Sequence, residues 1–234
     1  MPNTAKLGLP LIAPAQAQKH VTVNESLNRL DALVHLSLGS VAATIPPTSP
    51  ADGDVHAVGS GATGAWAGQD GQLAVFANGG WVFLTPQSGW QGWSSGGRVQ
   101  FDGTEWIEGS GALSPNGAGF VHRSIEIDHA VQTGMSSVVG GAIPGGVIVY
   151  GVTGRVLTSI GGATSLELGV PGFTDRYGAG IGTGAGAWLR GLTGAPLTYY
   201  NDTDLILGSV GGTFNGTGAI RLVVHFAELT LPRG

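Results

Sequence analysis

The residues in this sequence best suited to bind a ligand are aromatic and planar polar side chains in its C-terminal half. Aromatic rings stack on sugar rings, and carboxylates and guanidinium groups pair with sugar hydroxyls, so such clusters are typical of carbohydrate sites. Two clusters fall in segments that we expect to be loops, with a tryptophan between them in the sequence. The candidate glycan-binding residues are Asp175, Arg176, Tyr177, Trp188, Tyr199, Tyr200 and Asp202. The same residue types also form structural turns in which aspartate caps backbone amides, and both interpretations stay open.

Residues that could catalyse a reaction or hold a metal are scattered. The six histidines include one close pair, His122 and His129, whose spacing does not match a helical metal motif. Glu126 and Asp128 could be the paired carboxylates of a glycosidase, but alternate positions on a strand put both on one solvated face. The glycine stretches that contain serine are interpreted as turns and not as the nucleophile elbow of a hydrolase. We therefore expect no catalytic residue, no metal and no cofactor.

The composition excludes several classes of protein. Charged residues make up 11%, the formal net charge is −5, and only Lys6 and Lys19 are lysines. Because neutralising phosphates takes clustered lysine and arginine, nucleic-acid binding is not expected. The absence of cysteine excludes disulfides and thiolate sites. No apolar run reaches the roughly 20 residues of a membrane helix, and we expect no signal peptide and no membrane insertion.

Near the start, an extended arm and one helix are predicted. Residues 1–20 carry two prolines and no apolar period, which is typical of an arm that lies on another surface. Thr22 and Glu25 have the spacing of a capping box, and helical periodicity continues to Gly39, so we predict a helix over 23–38. The apolar residues that could form an oligomer interface are Leu27, Leu30, Leu33 and Val34. This helix either packs on its own β domain or bundles with copies of itself, most simply as a homotrimer.

The middle of the chain is predicted to be a small antiparallel unit. Five of the six tryptophans fall between residues 54 and 107, and they either form the core or offer a sugar platform. Asn78-Gly79 and Asp102-Gly103 separate apolar runs and predict two hairpins. Proline-rich and glycine-rich stretches at 45–54 and 109–119 are interpreted as linkers. The predicted domains are therefore 1–40, 41–110 and 111–234.

The C-terminal part contains short apolar segments without helical period, which predicts a mainly β protein ending in a β-sandwich of jelly-roll type. In the last segment Ile220, Leu222, Val224 and Phe226 lie on one face and Arg221, Val223 and His225 on the other, an alternation typical of a strand with one face buried. The glycine run from Gly178 to Gly186 lacks the lysine of a phosphate-binding loop and is predicted to be a flexible loop.

Two long motifs carry a family resemblance. LPLIAPAQAQKHVTVNESLNRLDALVHL and GAWAGQDGQLAVFANGGWVFLTPQSGW, within about residues 7–107, closely resemble a domain family of unknown function from alphaproteobacterial prophages and gene transfer agents. The segments IPGGVIVYGVTGRV, TSLELGV, TDRYG and GAIRLVVHF resemble the β-sandwich that often follows this module. In gene transfer agents such chains are similar to head-spike or fibre proteins that hold capsular polysaccharide on the recipient cell.

The resemblance implies a place on the surface of a phage-like particle. The chain would be made in the bacterial cytoplasm, would attach through its arm to a capsid, spike-base or tail protein, and would contact host surface polysaccharide. Three functions stay open: a non-enzymatic spike or fibre subunit, a polysaccharide depolymerase, and a structural decoration protein without affinity for glycans.

Overall fold

A computed structural model describes residues 3–12, 19–95 and 97–234. The chain forms two compact units, Met1–Gly117 (unit 1) and Ala118–Gly234 (unit 2). The sequence led us to expect three parts, with boundaries after residues 40 and 110. The segment Ile45–Asp54 lies within unit 1 and does not separate two compact units. Its backbone forms hydrogen bonds with the strands of unit 1; the Gly53 N–H, for example, donates to the Phe76 carbonyl at 2.9 Å.

The described residues of unit 1 form one α-helix, one 3-10 helix and eight short strands. The helices are α1 (Lys19–Leu33) and a 3-10 turn (Gly64–Trp66). The strands are β1 (Ser37–Leu38), β2 (Val55–Ala57), β3 (Leu73–Ala77), β4 (Gly80–Leu84), β5 (Gln91–Ser94), β6 (Gly97–Phe101), β7 (Trp106–Glu108) and β8 (Ser110–Leu113). Seven of these strands form a three-stranded sheet in the order β2-β3-β4 and a four-stranded sheet in the order β1-β5-β6-β7. Both predicted hairpins are present, as β3–β4 across Asn78-Gly79 and β6–β7 across Asp102-Gly103.

The helix begins and ends earlier than predicted. It starts at Lys19, so Thr22 lies inside it and accepts a hydrogen bond from the Ser26 hydroxyl through its backbone carbonyl. The capping-box interpretation is therefore wrong. The helix ends at Leu33, and His35 adopts a left-handed conformation with φ of 54°, which stops helical hydrogen bonding. Leu36 and Leu38 continue the apolar pattern but are buried in the unit 1 core, Leu38 as part of β1.

α1 packs against its own unit through its C-terminal end. Ala32 is buried and Leu33 packs on the core that contains Val55, Leu73 and Trp106. Leu27 is half-buried, whereas Leu30 and Val34 are exposed. Of the four residues predicted to form an oligomer interface, Leu33 is thus engaged within its own unit.

The described part of the arm folds back onto α1 around a buried carboxylate. Asp31, on the helix, accepts hydrogen bonds from the Thr4 hydroxyl at 2.7 Å, the Lys6 backbone N–H at 2.9 Å and the Leu7 backbone N–H. Burial raises the pKa of Asp31, but these hydrogen bonds outweigh burial and leave the pKa below its ordinary value. Residues 3–12 are therefore part of unit 1, while residues 13–18 of the predicted arm lie outside the described residues.

The tryptophans of unit 1 mainly supply its core. Trp66 is fully buried, and its ring meets the half-buried Trp81 edge-on at 5.1 Å between centroids. Trp106 is buried in the other cluster, and Trp90 packs against it. Trp93 is the exposed one, with 55% of its surface accessible. Four of the five rings are thus used in packing.

Unit 2 contains eight long strands and two short ones. They are β9 (Gly119–Ala130), β10 (Thr133–Gly134), β11 (Ser136–Ile143), β12 (Val147–Thr158), β13 (Ser165–Val170), β14 (Phe173–Gly182), β15 (Trp188–Tyr199), β16 (Thr203–Val210), β17 (Phe214–Asn215) and β18 (Ala219–Leu229). Within unit 2 one sheet has the order β15-β12-β18-β9 and the other β11-β16-β13-β14, while β10 pairs with β17. All these pairs are antiparallel.

The strand order is that of a jelly roll. Numbered one to eight along the chain without β10 and β17, the long strands form the sheets 1-8-3-6 and 2-7-4-5. One apolar core is shared by both sheets and includes Val152, Leu168 and Leu205. The predicted inward residues of β18, namely Ile220, Leu222, Val224 and Phe226, are all buried. The predicted mainly β fold with a C-terminal sandwich is confirmed.

Two segments of unit 2 differ from prediction. Thr174 to Tyr177, together with the first half of the glycine run, form strand β14 rather than a loop. Tyr199, which was expected in a loop, is the last residue of strand β15, whose pairing with β12 shifts register between Val149 and Gly151. In β14, glycines tolerate the bulged strand geometry; Gly178 has φ of 154° and Gly180 has φ of 65°.

Candidate functional site

The outer face of the β15-β12-β18-β9 sheet carries the side chains most suited to binding. Successive residues of a strand point to opposite faces. Since Leu222 and Val224 are buried in the core, Arg221, Val223 and His225 face outward. On β15 Leu189 is buried, so Trp188 faces outward on the same sheet. The alternation that builds the core therefore also presents an outward row of polar and aromatic side chains.

Strand register aligns these side chains in rows across the sheet. Trp188 pairs with Arg155 of β12, Arg155 pairs with Arg221 of β18, and Arg221 pairs with Asp128 of β9. The neighbouring row joins Arg190, Thr153, Val223 and Glu126 in the same strand order. An open groove of about 410 Å³ lies over these rows. We name as the Trp188 platform the residues Thr153, Arg155, Trp188, Arg190, Arg221 and Val223.

The indole of Trp188 is open to solvent, with 64% of its surface accessible. An exposed indole can accept a ligand ring without any rearrangement of the core. Arg155 and Arg190 beside it are also exposed. Because a guanidinium group presents a planar fork of N–H donors, this combination can stack on one part of a ligand and hydrogen-bond another.

The charge distribution across the platform is uneven. Arg221 donates to Asp128 through Nε at 2.6 Å and Nη2 at 2.7 Å, and its Nε lies 3.4 Å from Glu126 Oε1. The hydrogen bonds from Arg221 lower the pKa of Asp128, and those to Asp128 raise the pKa of Arg221. For Arg155 and Arg190, in contrast, no carboxylate lies at ion-pair distance anywhere in the described ranges 3–12, 19–95 and 97–234.

Hydrogen bonds hold the centre of this face in place. The His225 ring bridges two strands, with Nε2 at 2.9 Å from the Thr153 hydroxyl and Nδ1 at 3.2 Å from the Ser124 hydroxyl. Further along, His122 stacks on Tyr150 at 5.9 Å between centroids and meets Phe120 edge-on at 4.6 Å. The contacts of His225 and the stacking of His122 on Tyr150 cross between strands and hold the side chains along one side of the platform.

The second predicted cluster forms a different groove on unit 2. The groove, also of about 410 Å³, is lined by Val170, Pro171, Phe173, Arg176, Tyr199, Asp202, Thr203 and Asp204. Here Arg176 Cζ lies 4.1 Å from the centroid of the Phe173 ring, a cation–π geometry. Asp202 Oδ1 accepts a hydrogen bond from the Gly145 backbone N–H at 2.8 Å, which is the structural role that we had weighed against binding.

Two tyrosines of this region are structural. Tyr177 is 2% exposed, so its predicted role as a glycan-binding residue is wrong: its strand position turns the ring into the core. Its hydroxyl lies 2.8 Å from the hydroxyl of the half-buried Tyr199. Burial, followed by this hydrogen bond, raises the pKa of Tyr177. Tyr200, by contrast, is 83% exposed in the turn after β15, and Asp175 is also exposed.

The structure separates residues that the sequence suggested as one site. Trp188 pairs with Arg155 of β12, and Tyr199 pairs with Val147 of the same strand. Eight residues of extended chain separate these two positions by roughly 26 Å, at about 3.3 Å per residue. The structure brings Arg176, Tyr199 and Asp202 together and leaves Trp188 elsewhere. Sequence reasoning missed Arg155, Arg190 and Arg221 as neighbours of Trp188, although alternation on β12 and β18 marks them as outward-facing.

The other predictions on chemistry concern acidic and metal-binding groups. Glu126 and Asp128 share the outer face of β9, as predicted, and both lie next to Arg221. Within the described residues, no group of three or more potential ligands has the arrangement of a metal site. No helix in the described ranges has the length and apolar character needed to cross a membrane.

Comparison with known proteins gives a family match for part of the chain. Residues 23–107 match the model of a family described as "Protein of unknown function (DUF2793)", which confirms, for those residues and at that level, the resemblance seen in the sequence. One similar solved structure is "Cyanophage Pam1 capsid asymmetric unit", at 18% identity and a TM-score of 0.36, covering 51% of this chain and 91% of that chain. No curated protein matches this chain. The matched family segment contains most of α1 and the strands up to β7, and ends before the sandwich.

Proposed function

We propose that this chain is a non-enzymatic spike or fibre subunit on the surface of a phage-like particle, a gene transfer agent or a prophage virion, and that it adheres to host surface polysaccharide. The particle context is supported by the motifs and the family match in unit 1. The observation that carries the adhesion is the exposed Trp188 indole in register with Arg155 on the outer face of the sheet.

The platform suits a sugar chain for two physical reasons. Trp188 offers a large apolar face on which the C–H side of a sugar ring can pack. Arginine forks, the Thr153 hydroxyl and the carboxylates of β9 supply donors and acceptors for ring hydroxyls. An open groove can also bind an internal segment of a polymer, whereas a closed pocket cannot.

Weak single sites are enough when they are repeated. We propose a homotrimer, with the exposed Leu30 and Val34 of α1 at the contact between copies, and attachment to a capsid, spike-base or tail protein through the N-terminal part. Linked copies convert later binding events into intramolecular ones and raise avidity far above the affinity of one site.

Adsorption of the purified protein to capsulated cells tests the proposal. Trp188→Ala should weaken adsorption about tenfold, the equivalent of roughly 1.4 kcal/mol, while the thermal unfolding midpoint stays unchanged because the indole is exposed. Met135→Ala is the control, since it removes a large apolar side chain of unit 2 that is 72% exposed but lies off the platform. Equal adsorption of Trp188→Ala and the unmodified chain would refute the proposal.

Two further measurements distinguish the other two functions from this one. Progressive shortening of purified capsule during incubation would identify a depolymerase. Absence of adsorption by the unmodified chain, together with normal incorporation into particles, would identify a structural subunit without glycan affinity.

A further inference from the structure

Resting on the proposed function, we infer that the ligand of the Trp188 platform is an acidic polysaccharide whose sugars carry carboxylates. In this assignment Trp188 stacks on a sugar ring, and Arg155 and Arg190 bind the carboxylate of that sugar or of its neighbour.

The platform concentrates positive charge in an acidic chain. The formal net charge is −5, and the ten basic residues are two lysines and eight arginines. Three of these arginines lie on this groove. Arg221 is neutralised by Asp128 and Glu126. The guanidinium groups of Arg155 and Arg190 are left for a partner from outside.

Strand register places Arg155 beside an ion pair that is already complete. Arg155 lies directly opposite Arg221 on the neighbouring strand, and Arg221 is paired with Asp128 and Glu126. The side chain of Arg155 is exposed. A carboxylate bound between Arg155 and Arg190 would accept bidentate, charge-assisted hydrogen bonds.

The surroundings favour a sugar acid over a polyphosphate. Glu126 and Asp128 form an acidic edge on the β9 side of the same rows. A nucleic acid carries a charge at every phosphate and needs a long basic track, so this edge would repel it. A uronic acid polymer alternates carboxylates with hydroxyls, and those hydroxyls can donate to the acidic edge while the carboxylates meet the arginines.

Binding of full-length protein to polygalacturonate, alginate and hyaluronate, each compared with its carboxyl-reduced neutral form, tests the inference. At least one native polymer should bind, and carboxyl reduction should weaken its binding about tenfold or more, as expected for the loss of charge-assisted contacts. Arg155→Gln and Arg190→Gln should each weaken binding of the native polymer several-fold, and the double variant should no longer distinguish native from reduced polymer.

Arg98→Gln is the matched control, because it removes the same charge from an exposed position in unit 1; it should leave the affinity unchanged. Equal affinity for native and reduced polymer, no binding to any native polymer, an equal effect of Arg98→Gln, or tighter binding of single-stranded DNA of matched charge would each overturn the inference. The two proposals can fail separately. If adsorption to cells depends on Trp188 while binding to purified polymers is unaffected by carboxyl reduction, only the carboxylate assignment is overturned.

Discussion

Replacing Asp31 by asparagine should destabilise unit 1, because this buried carboxylate joins the N-terminal arm to α1. In the native chain Oδ1 accepts from the Thr4 hydroxyl and the Leu7 N–H, and Oδ2 accepts from the Lys6 N–H. Asparagine keeps the shape but places an NH₂ group where one oxygen was, so one hydrogen bond is lost and two lose their charge assistance. Hydrogen bonds to charged groups contribute about 1.5–3 kcal/mol, against about 1 for neutral ones, so one lost bond and two weakened bonds together cost at least about 2.5 kcal/mol.

Urea denaturation followed by tryptophan fluorescence measures this loss selectively, since five of the six tryptophans lie between residues 54 and 107 of unit 1. With a denaturant slope of about 1–3 kcal/mol/M, the midpoint should fall by roughly 1–3 M. Asp52→Asn, at an exposed carboxylate of the same unit, is the control and should stay within about 0.5 kcal/mol of the unmodified chain. Equal midpoints for Asp31→Asn and Asp52→Asn would refute the role of the buried carboxylate.

The same carboxylate predicts a dependence on pH. Its folded-state pKa is lowered from the ordinary value of 3.8, so its contribution to stability is fully present above about pH 5 and is lost as the pH falls through the folded-state pKa. The stability gap between the native chain and Asp31→Asn should therefore narrow below pH 4. Deleting residues 1–12 removes all three donors at once and should cost unit 1 at least as much as Asp31→Asn. A gap that is unchanged between pH 7 and pH 3 would contradict this account.

Two further substitutions test packing and assembly. Gly191→Ala should lower the unfolding midpoint of the sandwich, because the added Cβ would lie 2.1 Å from the Tyr177 carbonyl oxygen and overpacking costs about 1–3 kcal/mol or more. The control is Gly194→Ala on the same strand, whose Cβ would meet no atom within 4 Å and which should be near neutral. Equal midpoints for the two variants would refute the clash. Leu30→Asp should convert the proposed trimer into monomers in light scattering, whereas Ile45→Asp, which alters a residue 70% exposed elsewhere in unit 1, should not; a stable monomer of the unmodified chain would exclude the trimer.

The parts of the fold that the sequence predicted are those governed by local rules. Alternation on β18 identified Ile220 and Leu222 as core residues, and Asn78-Gly79 identified a hairpin because its turn requires positive φ at both positions. Strand β14 was missed because Gly178 and Gly180 read as loop residues, whereas the sheet accommodates them as irregularities in pairing with β13. The boundaries of α1 were wrong because tertiary burial of Leu36 and Leu38 imitates helical periodicity beyond the true end of the helix.

The candidate site was harder to predict than the fold because strand pairing creates it. Arg155 and Trp188 are 33 positions apart in sequence, and Arg221 is another 33 positions on, yet register places the three in one row. Aromatic content alone found Trp188 but grouped it with Tyr177, which is buried. A prediction of strand order together with alternation would have located the row, whereas loop composition could not.

Glycine links the packing of the sandwich to its proposed binding surface. Beneath the platform, a Cβ at Gly151 would lie 2.4 Å from the Gly191 carbonyl oxygen, and one at Gly191 would meet the backbone of Tyr177. The backbones of β12, β15 and β14 therefore approach one another more closely than strands with side chains at these positions could. Such contact leaves little room for the outer face to shift, so Trp188 and Arg190 are held on a rigid support. A rigid support lowers the entropic cost of binding. Under the proposed function, the close backbone contacts at Gly151 and Gly191 would therefore favour binding by holding the platform in one shape.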